Sequence, residues 1–581
     1  MALAAALTAL TTTATKRVGC CCFAHMRGST KGTGTWDQHR VVWDFTAYPD
    51  GYTYTTPDPR PGAQLGVTMN LRDGDFEGYS FGFYATHAGT YTARCTITDA
   101  AGVVSSDTHD FVVSGTGITT VTLDAAGGGD YTTWTALYDG EGFGSTGNGD
   151  VKVVVTSGTY ETSTGSNGTI NKSNVLIQWD GASTKPVITP TLRAEGENIT
   201  LDGLSILPTS YGNTALSVIA VGSNDFGVID CSFGTHEASA VIHKAIAGYG
   251  VLCYGCDSDG ANYATSGDTP FAWQITADFV VVGLTFSSSN RRRCFYLLSQ
   301  DGVTILGCDL RTGESGTGTL KQCLRIRSAN WTYIHRSKIV GGCSLQSQTD
   351  DDTSKVRISR CWGMASHAGQ SYSPFYFTSS SSVTSLDMGI YACVAVDNND
   401  IGLIQKSLLF MTIDTTGSSV VVAGCTSVTA IKADSSVYGL EADGAGAGDF
   451  VGNLVIDSGN GTGWTFLDAN ADYIGDVTDN VFPDSSGLTA ATNFYIHPDG
   501  NTNTLATFNG YTDNSGNAEV DTSVSGEYVP SVLTMIDTPA GMHTDYYGNP
   551  LGPTMAAGAV QRLPSVVSSI FARSTFLLLG L

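Results

Sequence analysis

A unit of about 27 residues recurs through most of this chain, and it restricts the possible folds more than any other feature. In each copy two apolar residues alternate with others, a two-residue turn follows, and a second alternating apolar pair comes next. Ile199-Thr-Leu201-Asp-Gly-Leu204-Ser-Ile206 is one instance, and Val303-Thr-Ile305-Leu-Gly-Cys308-Asp-Leu310 is another. Taking the first residue after the turn as an anchor gives Leu204, Cys231, Cys256, Leu284, Cys308, Ser337, Cys361, Cys393, Cys425, Leu454 and Asn480. Their intervals run from 24 to 32 residues and average 27.6. So short a unit cannot bury its apolar side alone, so neighbouring units must stack. Helical repeats would space apolar residues three and four apart over ten or more positions, which these segments do not. The pattern predicts an all-β chain built mainly as a right-handed, single-stranded parallel β-helix, with coils ~4.8 Å apart.

Six cysteines fall on anchors. Side chains stacked in register point the same way and close a disulfide poorly, so the anchor thiols are expected to be reduced and buried. Cys253-Tyr-Gly-Cys256 has no second metal-ligand pair at zinc spacing and reads as buried thiols. His236-Glu237 lacks a histidine three positions after the glutamate, which excludes a zincin site.

Composition removes other classes. The 581 residues carry 54 acids against 29 bases, a net charge of −25, which argues against nucleic acid as a partner. Seventy glycines and 14% charged residues fit neither a helical bundle nor a coiled coil, and 41% hydrophobic residues argue against disorder. Residues 1–34 are apolar and Thr-rich, but Lys16 and Arg17 follow the apolar stretch, the reverse of a secretory signal. Residues 562–581 form an apolar tail interrupted by Arg573, short for a membrane span. Both ends are set aside from the fold, and no transmembrane span is expected.

Residues 35–115 alternate as short strands do, through Val41, Trp43 and Phe45, then Tyr91, Cys95 and Ile97, then Phe111 and Val113. The run from His87 to Gly102 resembles the closing strand and turn of PKD-type immunoglobulin-like domains, and Trp43-Asp44-Phe45 resembles their Trp-Asp-Phe strand; Thr46-Ala47 departs from the Gly-Asp usual there. The resemblance implies a small β-sandwich serving as spacer or binding unit on an extracellular protein. The remainder, 116–561, is similar at both ends to pectin-lyase-like β-helix proteins. Gly127-Gly-Gly-Asp130-Tyr-Thr-Thr-Trp134 through Gly158-Thr-Tyr-Glu161 resembles their entry coil. Asp545-Tyr-Tyr-Gly548-Asn-Pro550 to Gly558-Ala559 resembles the close of secreted members, with Leu551 in place of the usual Arg. That superfamily includes pectate lyases, pectin esterases, polygalacturonases and phage tailspikes, so the resemblance implies fold and an extracellular, cell-surface or virion-surface setting. The acid, base and nucleophile blocks of pectin esterases and polygalacturonases have no match here.

Charge is segregated. Residues 291–360 hold twelve of the 29 bases and six acids, a local +6 against −31 elsewhere. Such a window could form a cationic cleft for an acidic glycan, in which fixed cations bind uronate carboxylates and stabilise the enolate of a β-elimination. Lys321, Arg325 and Arg327 are the candidate catalytic residues. Arg292, Arg293, Arg336, Trp331 and Trp362 are the candidate substrate contacts, the tryptophans as stacking platforms. By analogy with lyases of the resembled fold, calcium would be held by carboxylates, with Asp301 and Asp309 nearest. Two other readings stand beside this one: a non-catalytic adhesin, tailspike-like or stalk protein using the same surface, and bases that merely pair with neighbouring coils, as Asp309 and Lys338 could.

Overall fold

The computed structural model describes residues 2–558 other than 10–14, 62–67, 162–167, 183, 190–191, 208–215, 221–224, 234–239, 244–249, 260–277, 289–293, 301, 313–322, 342, 347–353, 366–373, 379–385, 398–408, 413–418, 430–436, 444–447, 458–461, 470–474, 487, 491–492, 512–513, 521–534 and 547–549. Each repeat turns at a residue held in the left-handed region just before its anchor. Gly203, Gly255, Gly307 and Gly424 do so at φ of 70°, 64°, 62° and 56°. Arg336, Arg360 and Ala392 make the same corner at 46°, 56° and 51° without glycine, a conformation that costs about 1–2 kcal/mol per residue.

The repeats stack into a parallel β-helix with three sheets. Among the described residues the first has fifteen strands, from Thr119–Leu123 to Asn514–Ser515, and the second fourteen, from Thr159–Tyr160 to Ala518–Val520. The third is described in a four-stranded and a nine-stranded section, the latter beginning at Phe295–Gln300. Inward residues such as Val281, Ile305, Ile334, Ile358 and Ile390 fill one continuous interior core.

Cys308, Ser337 and Cys361 occupy consecutive coils. The Lys338 N–H donates to the Cys308 carbonyl at 2.8 Å and the Trp362 N–H to the Ser337 carbonyl at 2.9 Å. The six anchor cysteines are buried, and the thirteen cysteines whose side chains are described are all free and buried. Burial pushes the thiols of Cys231, Cys256, Cys308, Cys361 and Cys393 up from their ordinary value. One anchor is corrected. Gly452 makes the corner at φ 64°, so Asn453 holds the interior position and Leu454, its neighbour, pairs outward with Thr426 and Val481. Asn453, Asn480 and Asn517 form an interior amide ladder in which each Nδ2 donates both to a backbone carbonyl and, for the first two, to the next Oδ1, at 2.8–3.0 Å for Asn480.

The N-terminal region is a small antiparallel sandwich lying along the solenoid. Its outer sheet orders the strands Phe76–Glu77, Arg40–Ala47, Gly89–Thr98 and Val104–Val113. Its inner sheet consists of Thr8–Ala9, Cys20–His25 and Ser80–Ala85. Trp43 stacks on Phe81 at 5.2 Å between the two. Residues 1–34, set aside on sequence grounds, therefore supply two strands of the fold, and Cys20–Ala24 are fully or almost fully buried.

The inner sheet is covered on both faces, because its other side rests on the first solenoid sheet. Cys21, Phe23 and Tyr84 share one apolar cluster with Ile229, Leu252, Val280 and Leu306. Glycine permits this approach: a Cβ at Gly227 would lie 2.3 Å from the Cys21 sulfur, and one at Gly250 2.4 Å from the Phe23 ring. A segment after the solenoid, with strands Met535–Asp537 and Thr554–Ala556, lies over the second sheet, where Met542, Tyr546 and Met555 cluster with Trp362, Val394 and Leu454.

Candidate functional site

Two of the three outer solenoid faces are thus occupied, and polar contacts fix the first. Lys16 pairs with Asp225, Arg27 Nη2 lies 2.8 Å from Asp278, Ser80 Oγ donates to Asp278 at 2.7 Å, and Tyr84 donates to Asp202 at 2.8 Å.

Farther along, the sandwich, the solenoid and the C-terminal segment meet around Glu77. Its Oε1 accepts from Arg40 Nε at 2.8 Å and its Oε2 from Tyr333 at 2.9 Å, while His335 Nε2 and Arg360 Nη1 each stand 3.7 Å from Oε1. Burial pushes the Glu77 carboxyl up, but the guanidinium groups of Arg40, Arg360 and Arg357 together outweigh it and hold the group well below the usual carboxylate range. Burial drives the His335 imidazole well below its ordinary value, so it sits here neutral. Arg357 donates to the carbonyls of Asp37 and Gly541, Arg60 to those of Arg360 and Tyr546, and Tyr391 donates to Asp37 Oδ2 at 2.6 Å. Burial raises the Asp37 carboxyl to about 6.

This junction absorbs much of the basic window. Arg336, expected as a substrate contact, reaches Asp75 at 2.9 Å under the sandwich. Trp331, expected as a sugar platform, is 8% exposed and packed edge-on against Trp36 and Tyr79 at 5.1 and 5.3 Å, with Lys355 over its ring. Trp362, the second expected platform, is 6% exposed beneath the C-terminal segment, with Lys338 Nζ 5.4 Å from its ring. No glycan could stack on either ring without displacing the residues that cover it. The segregated charge is in large part the complement of the sandwich's own acids, Asp37, Asp75 and Glu77, which lie in the same junction. Sequence reasoning missed that cluster because Asp37, Asp75 and Glu77 meet partners more than 250 positions away, Tyr391, Arg336 and Tyr333; the charge reversal was its only signal.

Asp309 is in register with Lys338, but both of its oxygens accept from Arg311, at 2.9 and 2.7 Å. A carboxylate so committed does not fit a calcium ligand. Among the described residues no group of three or more His, Cys, Asp or Glu is placed to hold a metal ion. Asp301, Lys321, Arg292 and Arg293 lie outside the described residues.

Arg325 and Arg327 belong to the strand Leu324–Ala329 of the third sheet. Leu324 and Ile326 are in the interior core and Arg325 is half-buried, so alternation turns Arg325 outward. The register runs Tyr296, Arg325, Ser344, Tyr376, Phe410, Glu441 and Asp468 in one ladder, and Leu298, Arg327, Gln346, Thr378 and Thr412 in the ladder two residues on. The sandwich and the C-terminal segment make their clusters with the first and second sheets. No helix among the described residues is long and apolar enough to cross a membrane. No family model matches the chain, and no curated protein matches its sequence.

Proposed function

We propose that this chain is an extracellular or virion-surface β-helix protein that binds an acidic polysaccharide along the outer face of the third sheet. The β-helix fold is consistent with polysaccharide-acting and tailspike-like proteins. The observation that carries the reading is the position of Arg325 and Arg327 on the third sheet, whereas the sandwich and the C-terminal segment make their clusters with the first and second. The ladder positions of the two arginines also hold Tyr296, Tyr376 and Phe410, residue types on which sugar rings stack, and guanidinium forks match uronate carboxylates. The N-terminal sandwich, read as PKD-type, serves this purpose as a docked brace. Binding without turnover is the reading favoured here, because Asp309, the one described carboxylate of the expected metal pair, is held by Arg311. β-Elimination by Lys321, Arg325 and Arg327 is the second reading.

Affinity of the full chain for uronate polymers, measured with and without the double change Arg325→Ala and Arg327→Ala, tests the proposal. Losing one charged contact costs about 1.5–3 kcal/mol, so Arg325→Ala alone should weaken binding roughly ten- to hundredfold. Unchanged affinity in a folded double variant would reject the site. Ultraviolet absorbance of an unsaturated product, if it accumulates, would replace the binder with the lyase.

A further inference from the structure

Two successive coils of the solenoid place an arginine at a backbone corner that suits glycine. Arg336 and Arg360 stand at φ of 46° and 56° just before the anchors Ser337 and Cys361, the position held in flanking coils by Gly307, Ala392 and Gly424. Coils lie ~4.8 Å apart, so the two side chains leave the same corner one above the other. Arg60, between the N-terminal strands Thr55–Pro57 and Thr68–Asn70, joins them there. Its Nη1 donates to the Arg360 carbonyl at 3.0 Å and to the Tyr546 carbonyl, and Arg360 Nε donates to that same Tyr546 carbonyl at 3.3 Å. Three like charges are thus gathered at one corner with their side chains nearly closed from solvent, at 2%, 12% and 2% exposure for Arg60, Arg336 and Arg360.

The carboxylates at this corner are already engaged. Asp58 takes Arg60 through both oxygens, at 2.9 and 2.7 Å, and Asp75 takes Arg336 Nη1 at 2.9 Å. For Arg360 the nearest is Glu77, 3.7 Å away and itself bonded to Arg40 and Tyr333. Two buried donors, Arg336 Nε and Arg360 Nη2, have no acceptor among the described residues. Residues 62–67 and 547–549, which adjoin Arg60 and Tyr546 in the chain and lie outside the described residues, contain no acid. Burial, with Arg336 and Arg60 beside it, drives the Arg360 guanidinium well below its ordinary value, and burial with Arg60 lowers that of Arg336. A guanidinium does not give up its proton in a protein, so the missing negative charge has to come from outside the chain.

We propose that the corner shared by Arg336 and Arg360 is a binding site for a small monovalent anion of the halide class, chloride foremost, with Arg336 Nε and Arg360 Nη2 as its donors. The class follows from those donors. A halide accepts N–H groups from any direction and has no substituents to place, whereas sulfate or phosphate would bring four oxygens to a closed corner that offers two open donors. A water molecule would satisfy the N–H groups and leave the charge unbalanced. Because Arg60 comes from the N-terminal region and Arg336 and Arg360 from the solenoid, the ion also ties the two together, and lifting the sandwich off the solenoid releases it.

Two measurements on the full chain test this, each in sodium chloride against sodium methanesulfonate at matched ionic strength. Native-state thiol labelling of Cys20, Cys21 and Cys22, which lie between sandwich and solenoid, should slow by the factor 1 + [Cl⁻]/Kd, about elevenfold at ten times Kd. The chloride magnetic-resonance line should broaden in the presence of the protein, a readout that does not depend on opening. Arg360→Gly gives the corner the residue that Gly307 and Gly424 already supply there, so it should fold, and it should abolish both effects. Arg94→Gln, which removes a base paired with Asp44 on the half-exposed outer sheet, should keep both. A wild-type chain indifferent to chloride in both measurements overturns the proposal, and so do chloride effects that survive in Arg360→Gly. Slower labelling in sulfate with none in chloride overturns the halide class.

Discussion

Replacing Glu77 with glutamine is the sharpest test of the three-way junction. The carboxylate accepts charge-assisted bonds from Arg40 at 2.8 Å and Tyr333 at 2.9 Å, and stands 3.7 Å from Arg360. Hydrogen bonds to a charged group contribute about 1.5–3 kcal/mol each, and a neutral amide can keep one acceptor but not the charge that balances buried guanidinium groups. Breaking a buried ion pair from one side costs about 3–5 kcal/mol. The expected loss is therefore about 3 kcal/mol, or roughly a hundredfold in the equilibrium for lifting the sandwich off the solenoid. Cys20, Cys21 and Cys22 lie in the sheet buried between them, so their labelling by a thiol reagent under native conditions reports the opening. Labelling at these three should quicken about a hundredfold while Cys308, deep in the solenoid core, stays protected. A change below about tenfold, or equal acceleration at Cys308, would refute the reasoning: the first by showing that the charge is not needed, the second by showing that the junction does not open separately.

Further outcomes follow from other residues. Burial lifts the Asp37 carboxyl from 3.8 to about 6, so the folded state prefers it protonated and docking weakens as pH rises from about 4 to about 6; Asp37→Asn should stabilise the protein by up to about 3 kcal/mol above pH 6 and by nothing below pH 4, read from urea unfolding across pH. His543 runs the other way. Burial, with Arg357 and Arg40 nearby, lowers its imidazole to about 4, so stability is lost as pH falls from about 6.5 to about 4, and His543→Gln should flatten that limb of the same titration. Asn480→Ala should cost about 2–5 kcal/mol in chemical denaturation, because it strips partners from Asn453, Asn517 and the Phe450 carbonyl inside the core.

The solenoid was legible because its cause is local: a corner, an inward anchor, and alternation on either side repeat within each unit. Leu454 misled for an instructive reason. An apolar residue is the natural occupant of a core position, whereas Asn453 is buried there only because Asn480 and the Val422 carbonyl complete its amide bonds. The strand Cys20–His25 escaped notice because it is buried on both faces, so the polar–apolar alternation that marks a half-exposed strand is absent. Trp331 and Trp362 were candidate platforms because they lie in or just after the basic window, and the residues that cover them, Trp36 and Met542, are 295 and 180 positions away. Contacts that depend on such distant partners leave no local trace. The outward turn of Arg325 was readable from alternation with Leu324 and Ile326, which needs no distant partner at all.

The junction around Glu77 also sets a clock on biosynthesis. His543 lies against the Gln38 carbonyl, 505 residues earlier in the chain. At about 5–20 residues per second a ribosome needs roughly 25–100 s to span that distance. The sandwich can begin to settle as soon as the coils near Ile229 and Val280 exist, and each new coil extends its seat. The clasp formed by Arg60 on Tyr546 and Arg357 on Gly541 cannot close until residues 541–546 have been made. From the synthesis of Trp362 to that of Met542, 180 residues and roughly 9–36 s at the same rate, the second sheet stands without its lid, and that is the interval in which a nascent chain of this design is most exposed to mispairing with its neighbours.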